Sequence, residues 1–131
     1  MSIDHSTRKQ LIDSLEKFVR ERLIPLEAIV EKEDRIPSDV IEEMKTMGLF
    51  GLSIPEEYGG AGLDQISYGL IMQEIERGDS GVRSTASVQS SLVMYPIWKY
   101  GNEEQRNKYL PKLASGEWLG CFGLTEPNFG S

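Results

Sequence analysis

Apolar side chains recur at helical spacing along most of the chain, with charged side chains between them. In the first such segment, from about Ser6 to Ile24, the apolar stripe comprises Leu11, Leu15, Phe18, Val19 and Leu23. This spacing predicts an amphipathic helix that packs one face against a core. Pro25 is expected to kink or end that helix. A second helix is predicted to begin at Pro37 and to be capped by Gly48, because proline suits the first turn and glycine the C-terminal cap.

Two further helices are predicted after a glycine-rich loop that spans residues 49–63. Asp64 is placed as the N-cap of the third helix, which is expected to stop near Gly78. The segment from Gly81 to Met94 consists largely of small side chains. Pro96 is expected to break it.

A fifth helix is predicted by a reciprocal capping pair. Asn102 lies at the N-cap position and Gln105 three residues later, which is the spacing of a capping box. The helix is expected to end at Ser115-Gly116. The sequence up to residue 116 therefore predicts a mainly α domain without internal repeats.

The remaining residues, 117–131, differ in character. The run from Trp118 to Thr125 is continuously apolar and contains aromatic residues, which predicts a buried strand. A lone strand has no ladder partner. We therefore expect residues 1–116 to form a helical domain, residues 117–131 to open a β-domain, and the chain to be the front piece of a longer protein.

Composition and charge exclude several classes of function. The 131 residues include 21 acidic and 14 basic side chains, a formal charge of −7, which disfavours binding to nucleic acid. No apolar run approaches the roughly 18 residues of a membrane span. The single cysteine, Cys121, and the single histidine, His5, are too few for an internal disulfide, a zinc site or a histidine-based triad.

The compartment is predicted from the cysteine count and the N-terminus. One cysteine and an acidic start without an apolar signal core favour a reducing, cytoplasmic location. The N-terminus is also too acidic for a transit peptide.

Two segments carry candidate chemistry. Strand-end amides followed by the Thr125 hydroxyl could hydrogen-bond the edge of a flat polar ring, although a plain strand exit fits the same residues. On a helix, Arg83, Ser87 and Ser91 would share one face, where small side chains leave room for a ligand or for another chain. Close helix packing, with Arg83 as a surface charge, is the structural alternative.

With these segments the sequence resembles the N-terminal part of the acyl-CoA dehydrogenases, a family of flavoproteins. The run from Arg83 to Met94 is most similar to the glutaryl-CoA dehydrogenase branch. The motifs that carry the family resemblance are Ile54–Gly60, Tyr95–Ile97 with Tyr100-Gly101, Glu104–Arg106 with Tyr109–Pro111, and Cys121–Pro127 with Gly130-Ser131.

The resemblance implies a helical N-terminal domain that ends in the first strand of a β-domain, a C-terminal helical bundle, and commonly a homotetramer. It implies FAD contacts at Phe122, Gly123, Leu124 and Thr125. It further implies contacts with the acyl-CoA substrate at Arg83, Ser84, Ser87 and Ser131, the last touching the CoA part.

The reaction implied is α,β-desaturation of an acyl-CoA thioester, with electrons passed to an electron-transfer flavoprotein. The glutamate that removes the α-proton in this family belongs to the C-terminal domain, so no acidic residue here, including Glu126, takes that role. The 131 residues alone are therefore expected to be inactive. Glutaryl-CoA with decarboxylation, a short- or branched-chain acyl-CoA, and a non-catalytic helical interaction module remain alternatives.

Overall fold

The computed structural model describes residues 5–130, and within that range the chain is mainly helical, as predicted. The α-helices are α1 (His5–Phe18), α2 (Ile24–Glu33), α3 (Ser38–Thr46), α4 (Gln65–Gly78), α5 (Ser80–Ser87), α6 (Tyr95–Tyr100) and α7 (Glu103–Ala114). Two π-helical stretches, Val19–Leu23 and Val88–Met94, and a 3₁₀ turn, Glu56–Tyr58, join them.

Pro25 was expected to kink or end its helix and Pro96 to break the small-residue segment, but neither proline ends the helix in which it lies. Pro25 and Pro96 each lie at the second residue of an α-helix that continues directly from a π-helical stretch. The residue after each stretch donates a backbone hydrogen bond to the carbonyl five residues earlier. Ile24 N–H donates to the Val19 carbonyl, and Tyr95 N–H donates to the Ser90 carbonyl. Because proline has no N–H to donate, the wider π turn lets the hydrogen-bond ladder change register just before it.

The predicted caps are confirmed. The Asp64 carboxylate accepts a hydrogen bond from the Ser67 amide at 2.9 Å and starts α4. Asn102 and Gln105 form both bonds of the capping box, at 2.8 and 2.9 Å. Gly48 adopts φ = 69° after α3, a conformation that glycine reaches at little cost. Short-range signals therefore set these helix ends.

The interior is divided between two apolar clusters. The larger one joins α1, α3, α4, α5 and the loop after α3, through Leu15, Phe18, Val19, Leu23, Val40, Met44, Leu49, Phe50, Leu52, Ile71, Met72, Ile75, Val82 and Ala86. The smaller one packs α7 against the 3₁₀ turn and the second π stretch, through Ile54, Tyr58, Met94, Leu110, Leu113 and Ala114. The segment 80–94 contributes to both clusters.

The predicted buried strand after α7 is wrong for the residues that the structure describes. Residues 117–125 form neither helix nor strand, and β pairing between residues 5 and 130 is limited to one bridge between Glu126 and Phe129. Leu119, Phe122 and Leu124 are 50–60% exposed. A strand needs a neighbouring ladder, and this part of the chain supplies none. None of the described helices has the length and apolar character needed to cross a membrane.

Candidate functional site

A cavity lies between the small-residue helix and the segment after α7. Its volume is ≈ 300 Å³, and it is lined by Ser84, Thr85, Val88, Gln89, Leu119 and Gly120. Small side chains on α5 leave this space open, because larger side chains at the same positions would occupy it. The cavity therefore joins the helix predicted to face substrate with the chain that leads to the predicted flavin contacts.

Gln89 attaches the C-terminal segment to this helix. Its side chain is 2% exposed, and its amide nitrogen donates to the Trp118 and Leu113 carbonyls at 2.7 and 2.8 Å. Its amide oxygen accepts from the Gly120 N–H at 2.8 Å. Gln89 was not among the residues predicted from the sequence. The only signal was that Gln89 is the one long, uncharged polar side chain in a run of small and apolar residues.

The predicted substrate contacts on α5 lie together. Arg83 Nη1 donates to Ser87 Oγ at 3.2 Å, and Ser87 Oγ in turn donates to the Ser84 carbonyl at 3.2 Å. Arg83 also donates from Nε to Glu76 Oε2 of α4, at 2.5 Å. The two charged side chains are 33% and 47% exposed. Glu76 is a further residue that sequence reasoning missed, since its contact crosses the break between α4 and α5.

Ser91 does not extend this group. Its hydroxyl lies 2.8 Å from the Tyr68 hydroxyl, which is also 3.0 Å from Ser90 Oγ. Ser91 belongs to the π-helical stretch, where the turns are wider than in an α-helix, so the spacing of four that predicted a shared face no longer applies.

The predicted FAD contacts, Phe122, Gly123, Leu124 and Thr125, form one exposed stretch that begins two residues after Gly120. Because the stretch is outside helix and sheet, no helical or sheet ladder uses its backbone N–H and C=O groups. With the Thr125 hydroxyl, these donors and acceptors suit the polar edge of a flat ring. A tight turn follows, closed by hydrogen bonds of 3.0 and 3.1 Å between Glu126 and Phe129. Ser131 lies outside the described residues.

A separate polar group lies between the 3₁₀ turn and α7. The Tyr58 hydroxyl donates to Glu103 Oε2 at 3.2 Å, and Arg106 pairs with the same carboxylate. Burial raises the pKa of Tyr58, and the neighbouring Glu103 carboxylate raises it further. We assign this group to the packing of α7, since its residues do not line the cavity at Ser84.

Comparisons with known proteins give a consistent result. The family model described as "Acyl-CoA dehydrogenase, N-terminal domain" matches residues 5–117. The chain is 44% identical over 129 residues to an acyl-CoA dehydrogenase of Bacillus subtilis (strain 168), and 38% identical over 125 residues to the human short-chain specific acyl-CoA dehydrogenase, mitochondrial. These alignments cover 97% and 95% of this chain but 34% and 30% of the relatives. The chain thus spans about a third of their length.

The fold is also similar to that of solved structures. A glutaryl-CoA dehydrogenase from Mycobacterium smegmatis, solved in complex with FADH2, superposes with a TM-score of 0.87 at 43% sequence identity. The superposition covers 98% of this chain and 33% of that one.

Proposed function

Because this chain belongs to the acyl-CoA dehydrogenase family, we propose that it is the N-terminal part of an FAD-dependent enzyme that desaturates an acyl-CoA thioester. We place the helical domain at residues 1–116 and the start of a β-domain at residues 117–131. The observation that carries the proposal is the cavity of ≈ 300 Å³, which Ser84 of the substrate-side helix lines together with Leu119 and Gly120. Ser84, one of the predicted substrate contacts, lines this space, and Gly120 lies two residues before Phe122, the first predicted flavin contact.

The described residues would bind and orient rather than react. Exposed backbone groups of residues 122–125 and the Thr125 hydroxyl would hold the polar edge of the flavin ring. Ser84, Ser87 and Arg83 would meet the far end of the acyl chain, and Ser131 the CoA part. FAD would supply the electron acceptor. The base that takes the α-proton would come from residues outside this chain.

The contacts of Arg83 bear on which acyl group the substrate carries. A guanidinium has five N–H donors, and two of those of Arg83 contact Glu76 and Ser87. A distal carboxylate could share this cation with Glu76, which favours glutaryl-CoA as the substrate, with loss of CO₂ after desaturation. The second candidate is a short- or branched-chain acyl-CoA. It is favoured by the 38% identity with the short-chain human relative, and by the fact that Glu76 already balances the charge of Arg83.

Three further properties belong to the same proposal. Electrons would pass to an electron-transfer flavoprotein, the assembled enzyme would be a homotetramer, and it would act in the cytoplasm or, in a eukaryote, in the mitochondrial matrix. Each follows from the family resemblance and can be tested on the assembled enzyme.

The proposal is tested on the protein expressed from its complete coding sequence. We expect bound FAD, measured by visible absorbance, and dye reduction that depends on glutaryl-CoA, butyryl-CoA or isobutyryl-CoA. The 131-residue chain alone should give no dye reduction even with added FAD. If the protein from the complete coding sequence bound no flavin and showed no turnover, the result would support a helical interaction module instead. Turnover by the 131-residue chain would overturn the division into domains.

A further inference from the structure

We propose that Gln89 is a positioning residue, which sets where the segment 122–125 leaves the helical domain and in which direction it runs. The role of that segment in holding flavin rests on the proposed function. The contacts that carry the inference are independent of it, since they join the π-helical stretch to Leu113 and to residues 118–120.

Every polar atom of the Gln89 side chain hydrogen-bonds a part of the chain that lies far away in sequence. Its two amide N–H groups donate hydrogen bonds to the carbonyls of Leu113 and Trp118, and its amide oxygen accepts one from the Gly120 N–H. With both donors engaged and the side chain 2% exposed, the amide group has one satisfied orientation. A replacement that left these groups unpaired in the interior would be costly.

A steric contact made by a neighbour of Gln89 also restricts Gly120. Val93 lies four residues further along the same π stretch and packs against Gly120. A Cβ at residue 120 would lie 2.5 Å from Val93 Cγ1, well inside van der Waals contact. Only glycine allows the backbone to approach this closely. Gly120 is therefore held by the hydrogen bond that its N–H donates to Gln89 Oε1 and by a close contact with Val93. The two contacts together restrict the direction in which the chain leaves Gly120.

The consequence follows from the short distance along the chain. Phe122 is two residues beyond Gly120, and an extended chain advances at most about 3.6 Å per residue. A displacement of the Gly120 backbone therefore also displaces Phe122, the first proposed flavin contact, because only one residue lies between them. Groups that orient a reacting partner tolerate displacements of only about 1 Å before function declines strongly.

The first experiment replaces the glutamine by a side chain of similar shape without hydrogen-bonding groups. In the protein from the complete coding sequence, Gln89→Met should raise the Kd for FAD by about tenfold or more, since at least one buried hydrogen bond is lost. Gln105→Met is the matched control. It also removes a glutamine bond to a backbone amide, that of Asn102, but at the opposite end of α7 from Leu113.

A purely structural role for Gln89 predicts a different result. Both variants would then lower the melting temperature, and the Kd for FAD, measured well below melting, would stay at the wild-type value in both. Equal changes of Kd in the two variants would also contradict the positioning role.

The second experiment keeps Gln89 and acts on its steric partner. Gly120→Ala should push the segment away from the π stretch and weaken FAD binding in the same way. Adding Val93→Ala removes the two nearest atoms, Cγ1 at 2.5 Å and Cγ2 at 2.9 Å, so that the nearest remaining atom is Val93 Cβ at 3.1 Å. The double variant should therefore recover most of the affinity. Failure to recover would overturn the inference. The single and double variants at residues 120 and 93 test the positioning of the segment even if Gln89→Met does not fold.

Hydrogen exchange separates this inference from the proposed function. The Gly120 amide should be protected in the wild type and should exchange faster in Gln89→Met, whether or not flavin is bound. A protein that binds no FAD but protects this amide would contradict the proposed function alone. An unprotected Gly120 amide in the wild type would contradict the positioning role alone.

Discussion

Arg83 of α5 donates to the carboxylate of Glu76 on α4 at 2.5 Å, so the cation predicted to meet substrate already has a partner within the chain. The two helices are separated by the break at Asp79, whose side chain caps α5 by accepting from the Val82 amide at 2.7 Å. The pair therefore has two consequences. It holds the start of α5 against α4, and it partly balances the charge of Arg83, which precedes Ser84 of the cavity lining.

Arg83→Gln should separate the two proposed classes of substrate. If the acyl group carries a distal carboxylate, removing its cation costs roughly 3 kcal/mol, the lower end for a buried pair because Arg83 is 33% exposed. That corresponds to about a hundredfold loss of kcat/KM for glutaryl-CoA. Butyryl-CoA has no distal carboxylate and should lose little. The measurement is steady-state kinetics with both thioesters.

Arg77→Gln is the matched control for this prediction. Arg77 also pairs with a glutamate, Glu74, but within α4 and away from the Ser84 cavity. It should leave the ratio of the two kcat/KM values unchanged. Equal losses for both thioesters in Arg83→Gln, with a lower melting temperature, would show that Arg83 only orders the start of α5.

Tyr58 should make the fold sensitive to alkali. Burial raises its pKa above the ordinary 10.0, and Glu103 raises it further, so the folded chain retains a proton that the unfolded chain releases. This contribution to stability is complete below pH 10 and is lost as the pH rises through the folded pKa. The melting temperature of the wild type should therefore fall more steeply above pH 10 than that of Tyr58→Phe. Tyr100→Phe, at a side chain 82% exposed, should behave as the wild type.

Two glycine substitutions should change stability in opposite directions. A Cβ on Gly60 would lie 2.0 Å from the Ile54 carbonyl oxygen, so Gly60→Ala should destabilise the fold by about 1–3 kcal/mol or more. Gly69 is inside α4 with no atom within 4 Å of its Cβ position, so Gly69→Ala should stabilise by about 0.5–1 kcal/mol. Urea unfolding of the two variants measures both values. Unchanged stability in Gly60→Ala would contradict the close packing at Gly60, and a loss in Gly69→Ala would contradict the open space at Gly69.

The apolar segment after α7 should bind hydrophobic dyes in the 131-residue chain. Phe122 and Leu124 are 50% and 60% exposed, and exposed apolar patches promote association. The double variant Phe122→Ser, Leu124→Ser should bind less dye and self-associate less, while the free energy of unfolding stays within about 0.5 kcal/mol. Leu92→Ser, at a helical side chain 44% exposed, is the control. Undiminished dye binding in the double variant would place the apolar surface elsewhere.

The sequence alone was sufficient for features that depend on neighbours a few residues apart. The caps at Asp64 and Asn102, the glycine after α3 and the apolar stripe of α1 follow from hydrogen bonds and spacing within one or two turns. The motifs around residues 121–127 likewise indicated the family before any fold was considered. Short-range interactions of this kind are similar in every protein, so a pattern of residue types is enough to predict them.

Only the tertiary structure decided the contacts between distant segments. The sequence analysis expected Pro25 to kink or end the first helix, but a π turn changes the hydrogen-bond register before it and the helix continues. It also expected a buried strand after Trp118, whereas the segment is exposed because no ladder lies beside it in the described residues. Gln89 gained its partners from chain 24 to 31 residues away, and Arg83 met Glu76 across a helix break. Such pairings depend on how whole elements pack, and local spacing carries no information about packing between elements.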